Sequence, residues 1–533
     1  MQSFKIIPIL GLKNSVPQDD PSLFKIVDKW GKIAMTHDTD GINVTYTRER
    51  NAVSKAYGYQ EWSNTANAQA TRCMGLFELY DGTHRDHCFW DNGKFYVYDN
   101  SYDPADKTAS GVTHANDDND LYSIIQFGDY VIWADMAETT PYKWKNGDAN
   151  ATKLIQSGTE YKFRYLEEFQ GRIIGAYSDQ TNGDLEIRWT DRLPTWATLD
   201  FGASNQAYKP DTTDPITGIK KITQNACMLY GEESMARIEY YPSGDTPFVL
   251  RTTVFGHGPV NHHSIVAVGS EHYFFHKQYG FVRYQGETEY PYGGKPISED
   301  IEDTISAIDT DYYTNIVGVF VPITREIVWT IPLSDIANPT HLLFYNVNTG
   351  QWRMEEKAMR YIDTWQLYPS YTWAQFVAEL GGATADWTAA SSDTWAKYTT
   401  QYQRLAYANT DGRLYIQTGD DYDGSAFEGY RVEPIFDFGE RLRMDRVVEV
   451  WLEVTQQVDV DVNFYWRGGA TVAEVIGKAW ESIGSINCNN PAAAVLYMDK
   501  TDRLHQFKWG TDGAAEGYEA DGLIFKYIEQ GIY

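Results

Sequence analysis

The feature that most constrains this chain is a recurring pattern: a short run of alternating aromatic and β-branched residues, a polar turn, and a second such run. Alternation with period two is the mark of a half-buried β-strand, and two runs joined by a tight polar turn read as a hairpin. The first clear copy spans His87 to Asn100. There Asp91, Asn92 and Gly93 are expected to supply a positive-φ turn between Phe89/Trp90 and the run Phe95 to Tyr98. Similar units follow at Leu121–Asp135, Phe169–Asp191, Ala226–Tyr241, His272–Gly286, Ile316–Ile331, His341–Met354 and Arg404–Gly419. Recurrence at roughly 40 to 50 residues is what a propeller blade occupies. The expected fold is therefore all-β: an irregular β-propeller of about five to seven blades with a second, β-sandwich-like platform domain. A β-sandwich array shares the pattern of short strands and stays open as an alternative.

At 533 residues the chain exceeds the roughly 250 to 300 at which one core stops growing, so more than one domain is expected. Residues 1–70 read as an N-terminal segment contributing to the platform and the first blade, 71–438 as the propeller, and 439–533 as the C-terminal platform. In that last stretch Val447–Val454 and Val458–Trp466 alternate as strands, and Leu523–Gln530 is expected to be the final one. Few segments read as helix; the best is Ile297–Ile308, where Ser298 serves as N-cap, Glu299 and Asp300 fill the first turn, and Ile301, Ile305 and Ile308 share a face. At about 368–400 the pattern gives way to Trp373, Trp387 and Trp395 among Ala, Gly, Ser and Thr, an inserted surface excursion whose tryptophans would seek a partner.

The formal net charge is −29, from 74 acidic against 45 basic residues, which argues against a protein that grips duplex DNA through phosphate neutralisation. Solubility accounts for such a surface; so would a passage whose walls offer a polyanion few cations. The four cysteines, Cys73, Cys88, Cys227 and Cys488, form no CxxC pair and suggest neither a disulfide framework nor a zinc site. The opening residues lack the pattern of a secretory leader, and no apolar run approaches the ~20 residues of a spanning helix.

Chemistry-bearing clusters have plain structural readings. His257, His262, His263, His272 and His276 could ligate a transition metal, but the pair four apart, His272 and His276, falls on a strand run with Phe274 between them and not on a helix, and ordinary surface or interface histidines are the expectation. Asp117, Asp118 and Asp120, and Asp420, Asp421 and Asp423, offer calcium-type oxygens without the closing glutamate of a calcium loop, so solvated turns are expected. A propeller rich in Trp and Asp also invites a glycosidase reading, which needs two facing carboxylates. No nucleophile elbow, P-loop or dinucleotide fingerprint is present.

Three segments, in chain order, resemble the propeller-bearing tail hub or nozzle proteins of short-tailed bacteriophages, also called tail tubular protein B or packaged-DNA stabilisation proteins. The first is Gly11–Asp20 with Gly41–Tyr59, closing on Lys55, Ala56, Tyr57, Gly58 and Tyr59 without the family's usual Arg-Pro. The second, Gly171–Gly202, is similar to a family blade through Arg172, Trp189, Asp191 and Trp196. The third, Asp421–Val454, looks like the exit from propeller to platform, with Arg441, Arg443 and Arg446 where lysine is more usual. The resemblance implies a virion protein assembled in the host cytoplasm: a homo-oligomeric ring, commonly a hexamer, docked below the head-to-tail adaptor. Such a ring carries tail fibres or spikes and conducts double-stranded DNA during ejection. It implies no catalytic residue, metal or cofactor. Trp373, Trp387, Trp395, Arg441, Arg443 and Arg446 are the interface candidates. The alternatives are a carbohydrate-binding or glycosidase-type propeller and a distal receptor-binding or baseplate component.

Overall fold

In the computed structural model the alternating runs are strands, and consecutive runs pair antiparallel. The structure describes residues 2–530 except 28–31, 48–51, 64–71, 99–102, 111–120, 135, 137–139, 156–158, 193–195, 197–198, 210–212, 243–246, 256–257, 287–293, 334–337, 367–402, 410, 420, 439–442, 456–457, 490–493 and 515.

Seven four-stranded sheets form the propeller. Their first strands are Gly75–Tyr80, Ser123–Phe127, Phe163–Phe169, Ile216–Thr223, Val266–Val268, Gly318–Val321 and Tyr361–Gln366, and these lie side by side round a ring. The last packs against the first, so the ring is closed. Blades 1 to 6 are each built from consecutive strands. Blade 7 takes Gln403–Ala408 and Leu414–Gln417, and then a fourth strand from far upstream, Tyr59–Glu61. The N-terminal segment thus enters the seventh blade and not the first. Pairing Gln60 with Ile416 covers an edge that would otherwise stay open, which is how a propeller ties its two ends together.

The aromatic excess is spent between and within blades. Trp90, Trp133, Trp189, Trp329, Trp352 and Trp365 are among the largest fully buried side chains. Trp133 of blade 2 lies 5.4 Å from Trp90 and 4.5 Å from Phe95 of blade 1, and Trp329 of blade 6 lies 4.3 Å from Phe281 of blade 5. Each such burial contributes roughly 1.5–3 kcal/mol and each ring pair about 0.5–1.5 more.

Two local expectations are corrected. The turn after Trp90 needs no positive φ, because Asp91 Oδ1 accepts from the amides of Gly93 (2.8 Å) and Lys94 (2.6 Å) and closes it by side chain. The helix at Ile297–Ile308 is a 3-10 turn, Glu299–Ile301, followed by a short α-helix, Glu302–Ser306. Ser298 does not cap it; its hydroxyl accepts from Phe281 N–H (3.0 Å), pinning the connector to blade 5.

Both ends of the chain build a second body. An eight-stranded sheet carries, in order, Phe24–Ile26, Ile33–Thr36, Gln2–Ile7, Glu519–Gln530, Met444–Val454 and Val495–Asp502. The hairpin Val44–Thr47 and Ala52–Lys55 joins it through Glu519–Gln530. A four-stranded sheet, Gly429–Val432, Leu504–Thr511, Asp461–Gly469 and Glu481–Asn487, completes this sandwich-like platform. One apolar core, including Ile6, Val450, Phe464, Phe507, Trp509 and Phe525, draws on both sheets.

Candidate functional site

Two places gather chemistry: the mouth of the propeller axis and the seam between propeller and platform.

At the axial mouth the loops that enter the first strands of the blades converge. Asn261 holds one of them: its Oδ1 accepts from Ser264 N–H (2.6 Å), and its Nδ2 donates to the carbonyls of Tyr313 (2.9 Å) and Ile316 (3.1 Å). His262, on the same loop, is buried among blades 2, 3 and 4. Its Nδ1 accepts from Ile219 N–H (3.4 Å), its Nε2 lies 3.5 Å from Ser123 Oγ, and its ring lies 5.1 Å from Tyr165. Burial pulls the imidazole of His262 well below its ordinary value and that of His263 down to about 3. Both are neutral at neutral pH, and for His262 that is the state in which Nδ1 can accept from Ile219 N–H.

A cavity of about 260 Å³ opens here, lined by Arg164, Tyr165, Tyr177, Thr217, Glu232 and His262 among others. The hairpin of blade 3 shapes it. Phe163 pairs with Ser178 and Tyr165 with Ala176, while the Arg164–Tyr177 pair between them is passed over by the ladder. Tyr177 has φ 59°, a left-handed conformation that costs a non-glycine residue about 1–3 kcal/mol. The Arg164 guanidinium sits 5.6 Å over its ring. Thr217 Oγ1 is buried in the same region and makes no hydrogen bond among the described residues. Glu232 stands exposed at the rim. Aromatic faces, a guanidinium, a hydroxyl and a rim carboxylate suit the binding of a small polar ring.

No protein-family model matches the chain, and no curated protein matches it in sequence. Among solved structures it is similar to an exo-β-1,3-galactanase from Phanerochaete chrysosporium, at 9% identity over 79% of this chain and 98% of that one, with a TM-score of 0.27. It is also similar to virginiamycin B lyase from Staphylococcus aureus, at 9% identity over 68% and 98% of the two chains and a TM-score of 0.37. The WD40 domain of Toxoplasma gondii coronin matches at 8% identity over 71% and 87%, with a TM-score of 0.36. The fold is a β-propeller. Likeness this remote transfers none of these proteins' chemistry to the present propeller.

Buried charge lies on both sides of the seam, and hydrogen bonds cross it. On the outermost strand of blade 6, Glu355 accepts from Arg353 and from Lys357 Nζ (2.6 Å), and all three side chains are excluded from solvent or nearly so. Arg353 also forks onto Glu326 (2.9 and 3.0 Å), and Lys357 donates to the carbonyl of Tyr57 (2.6 Å) on the arm between platform and propeller. Burial pushes the Glu355 carboxyl up, but Lys357 and Arg353 together bring it below the usual carboxylate range. Asn43 of the platform accepts from Glu356 N–H (2.7 Å), and its own N–H donates to the Met354 carbonyl (2.9 Å), so blade 6 is joined to the platform by backbone as well. Inside the platform Arg431 donates to Glu433 (2.8 Å) and to the Thr36 carbonyl (2.7 Å), and lies 3.9 Å from Asp38. Asp38 in turn accepts from Tyr46 (2.6 Å) and Gly41 N–H (2.6 Å).

Of the residues singled out from sequence, Trp373, Trp387, Trp395, Arg441, His257, Asp117, Asp118, Asp120 and Asp420 lie outside the described residues. Arg443 and Arg446 do not form one basic patch. Arg443 pairs with Asp445 (3.1 Å) and Glu529 (3.1 Å), and Arg446 with Asp499 (2.6 Å). Asp421 and Asp423 close a turn, accepting from Gly424 N–H (2.9 Å) and Glu61 N–H (3.3 Å). His262, His272 and His276 are buried, not on the surface. Sequence reasoning missed Asp38, Glu355, Lys357, Arg431 and Glu433. Alternating charges such as Arg353-Met-Glu-Glu-Lys read as a solvated strand, and nothing local marks them as interior.

Proposed function

We propose that this protein is a structural subunit of a short-tailed bacteriophage tail, a hub or nozzle component that holds neighbouring parts and surrounds a passage for DNA. The observation that carries this reading is the interlock of the chain. Both ends are woven into one platform, the N-terminal arm continues from it to close the propeller, and hydrogen bonds from Lys357 to the Tyr57 carbonyl and between Asn43 and the outer strand of blade 6 tie the two bodies at the seam. Such a construction suits a part that must keep its shape under load and make no bond. The first and third segments of the family resemblance, Gly11–Asp20 with Gly41–Tyr59 and Asp421–Val454, meet in this interlock, where Ile42 N–H donates to the Tyr430 carbonyl (2.9 Å). The ring of copies, the adaptor above it and the fibres or spikes follow from the resemblance. The surplus of 74 acidic over 45 basic residues fits walls past which a polyanion slides. Light scattering on the purified full chain, followed by imaging, tests the reading: closed rings are expected, and a strict monomer that cleaves saccharides would overturn it.

A second reading, a carbohydrate-binding propeller, is favoured by one observation. The axial cavity brings Tyr165, Tyr177, Arg164 and Thr217 together at the face where the blade-entry loops converge.

A further inference from the structure

We infer that the outer face of the eight-stranded platform sheet docks a second copy of this chain, as the contact of one subunit on the next round a ring. The inference rests on the ring reading proposed above and goes further by naming the surface that joins the copies.

The sheet has two faces. Inward go Ile6, Val450, Leu452, Leu523 and Phe525, all buried in the platform core. Successive side chains on a strand alternate, so the residues between these point outward. Register sets the outward ones in a row. Val495 pairs with Trp451, Trp451 with Ile524, Ile524 with Lys5 and Lys5 with Ile33, and Val27 N–H donates to the Ile33 carbonyl (3.0 Å). The row thus crosses the sheet from the strand Val495–Asp502 to the end of Phe24–Ile26, and only Lys5 interrupts its apolar character. Val27 is 43% exposed, and Val495, Trp451, Ile524 and Ile33 are half-buried. Tyr497, opposite Glu449, and Ile528, opposite Arg446, add further apolar surface to the same face, at 73% and 38% exposure. Exposed apolar side chains scattered singly are ordinary, whereas a contiguous run of them marks a contact surface.

Charge indicates what covers it. Lys5 pairs with Glu453 (2.5 Å), Lys526 with Glu449 (2.7 Å) and Arg446 with Asp499 (2.6 Å), so cations and anions cancel on this face. Lys25, opposite Met35, and Asp521, close to Lys5 and Glu453, add one charge of each sign at its border. The whole chain carries −29, so two copies repel one another wherever their surfaces keep that average. A face whose charges cancel is where a like-charged copy can approach, and it offers a polyanion or a polycation no excess of countercharge.

Trp451 is held ready as an anchor. Its indole N–H donates to Glu449 (2.8 Å), and Lys526 Nζ sits 4.3 Å over its ring. A side chain fixed beforehand loses little freedom on contact, and tryptophans of this kind carry much of the energy of interfaces. The area is adequate too. At ~4.8 Å between strands the row is about 24 Å long, and a six-residue strand such as Gln2–Ile7 runs about 20 Å. That is roughly 500 Å² before side-chain relief is counted, of the same order as the ~800 Å² per partner of a stable contact.

Light scattering of the full-length chain over a concentration series tests this, with p-benzoylphenylalanine in place of Tyr497 as a photo-crosslinker in a mixture of unlabelled and nitrogen-15-labelled chains. Assembly is expected to tighten as sodium chloride rises from about 0.05 to about 0.5 M, because salt screens the repulsion between the other surfaces and leaves an apolar contact intact. The double variant Val27→Asp, Tyr497→Asp changes two exposed side chains and should keep the melting temperature while weakening assembly at least about tenfold. Crosslinks from position 497 should join labelled to unlabelled chains. Rings that form as before in the double variant, with no crosslink between copies, would overturn this inference and leave the ring reading standing. A chain that stays monomeric at every concentration would overturn both. Assembly that weakens as salt rises would also overturn the inference, and so would dimers crosslinked through the same face of each copy, since a ring joins unlike surfaces.

Discussion

Replacing Glu355 by Gln removes the one carboxylate that lies between two buried cations. Arg353 keeps its fork on Glu326, but Lys357 is left with the Tyr57 carbonyl and the rings of Tyr407 and Tyr422 at 5.5 and 5.8 Å. Breaking a buried pair from one side costs about 3–5 kcal/mol because the remaining charge stays buried and uncompensated. The cost has an upper limit: burial already lowers the affinity of Lys357 for its proton, so in the variant the ammonium can shed it. The low end, about 3 kcal/mol, is therefore expected. With a urea slope near 3 kcal/mol/M, the upper end for small proteins, the midpoint falls by about 1 M. Urea titration followed by tryptophan fluorescence is the assay. A variant ammonium with a depressed folded pKa binds fewer protons folded than unfolded, so the loss should shrink as the pH is raised toward 10.4, the ordinary lysine value. The double variant Glu355→Leu, Lys357→Met removes both charges and should be less damaging than the single change. A midpoint for Glu355→Gln within experimental error of the parent, or a double variant worse than the single one, would refute the reasoning.

Two further outcomes follow. Gly58→Ala should destabilise by about 1–3 kcal/mol, because the added Cβ would meet the Asp421 carbonyl oxygen at 1.8 Å just before the closing strand Tyr59–Glu61; thermal melting and faster proteolysis of the N-terminal arm would report it. Burial holds the imidazoles of His87 and His263 at about 3 and those of His272 and His505 at about 4, below the ordinary 6.5, so the unfolded chain binds more protons than the folded one as the pH drops. Their contribution is fully present above about 6.5 and is lost on acidification, at up to about 1.4 kcal/mol per pH unit for each; urea midpoints at several pH values should show His263→Gln with a flatter acid slope than the parent, and an equal slope would count against it.

Strands, turns and the propeller type were legible in the sequence because they are local. Alternation such as Phe95-Tyr-Val-Tyr sets which face of a strand is buried whatever lies opposite, and its recurrence at blade length implies repeated sheets. Even there, a local signal misled where a tertiary contact intervened: Ser298 looks like a helix cap but is held by blade 5. The seven-blade count, the closing strand from Tyr59–Glu61 and the weaving of both ends into one platform were decided only in three dimensions. So were the charge networks. Thr36 and Glu433 are 397 residues apart and share a hydrogen bond of 2.7 Å, a contact that no window of sequence contains. The physical reason is that pattern encodes burial of one face along a strand, whereas partner choice between distant strands, and the desolvation of a charge by its neighbours, arise only when those strands are brought together.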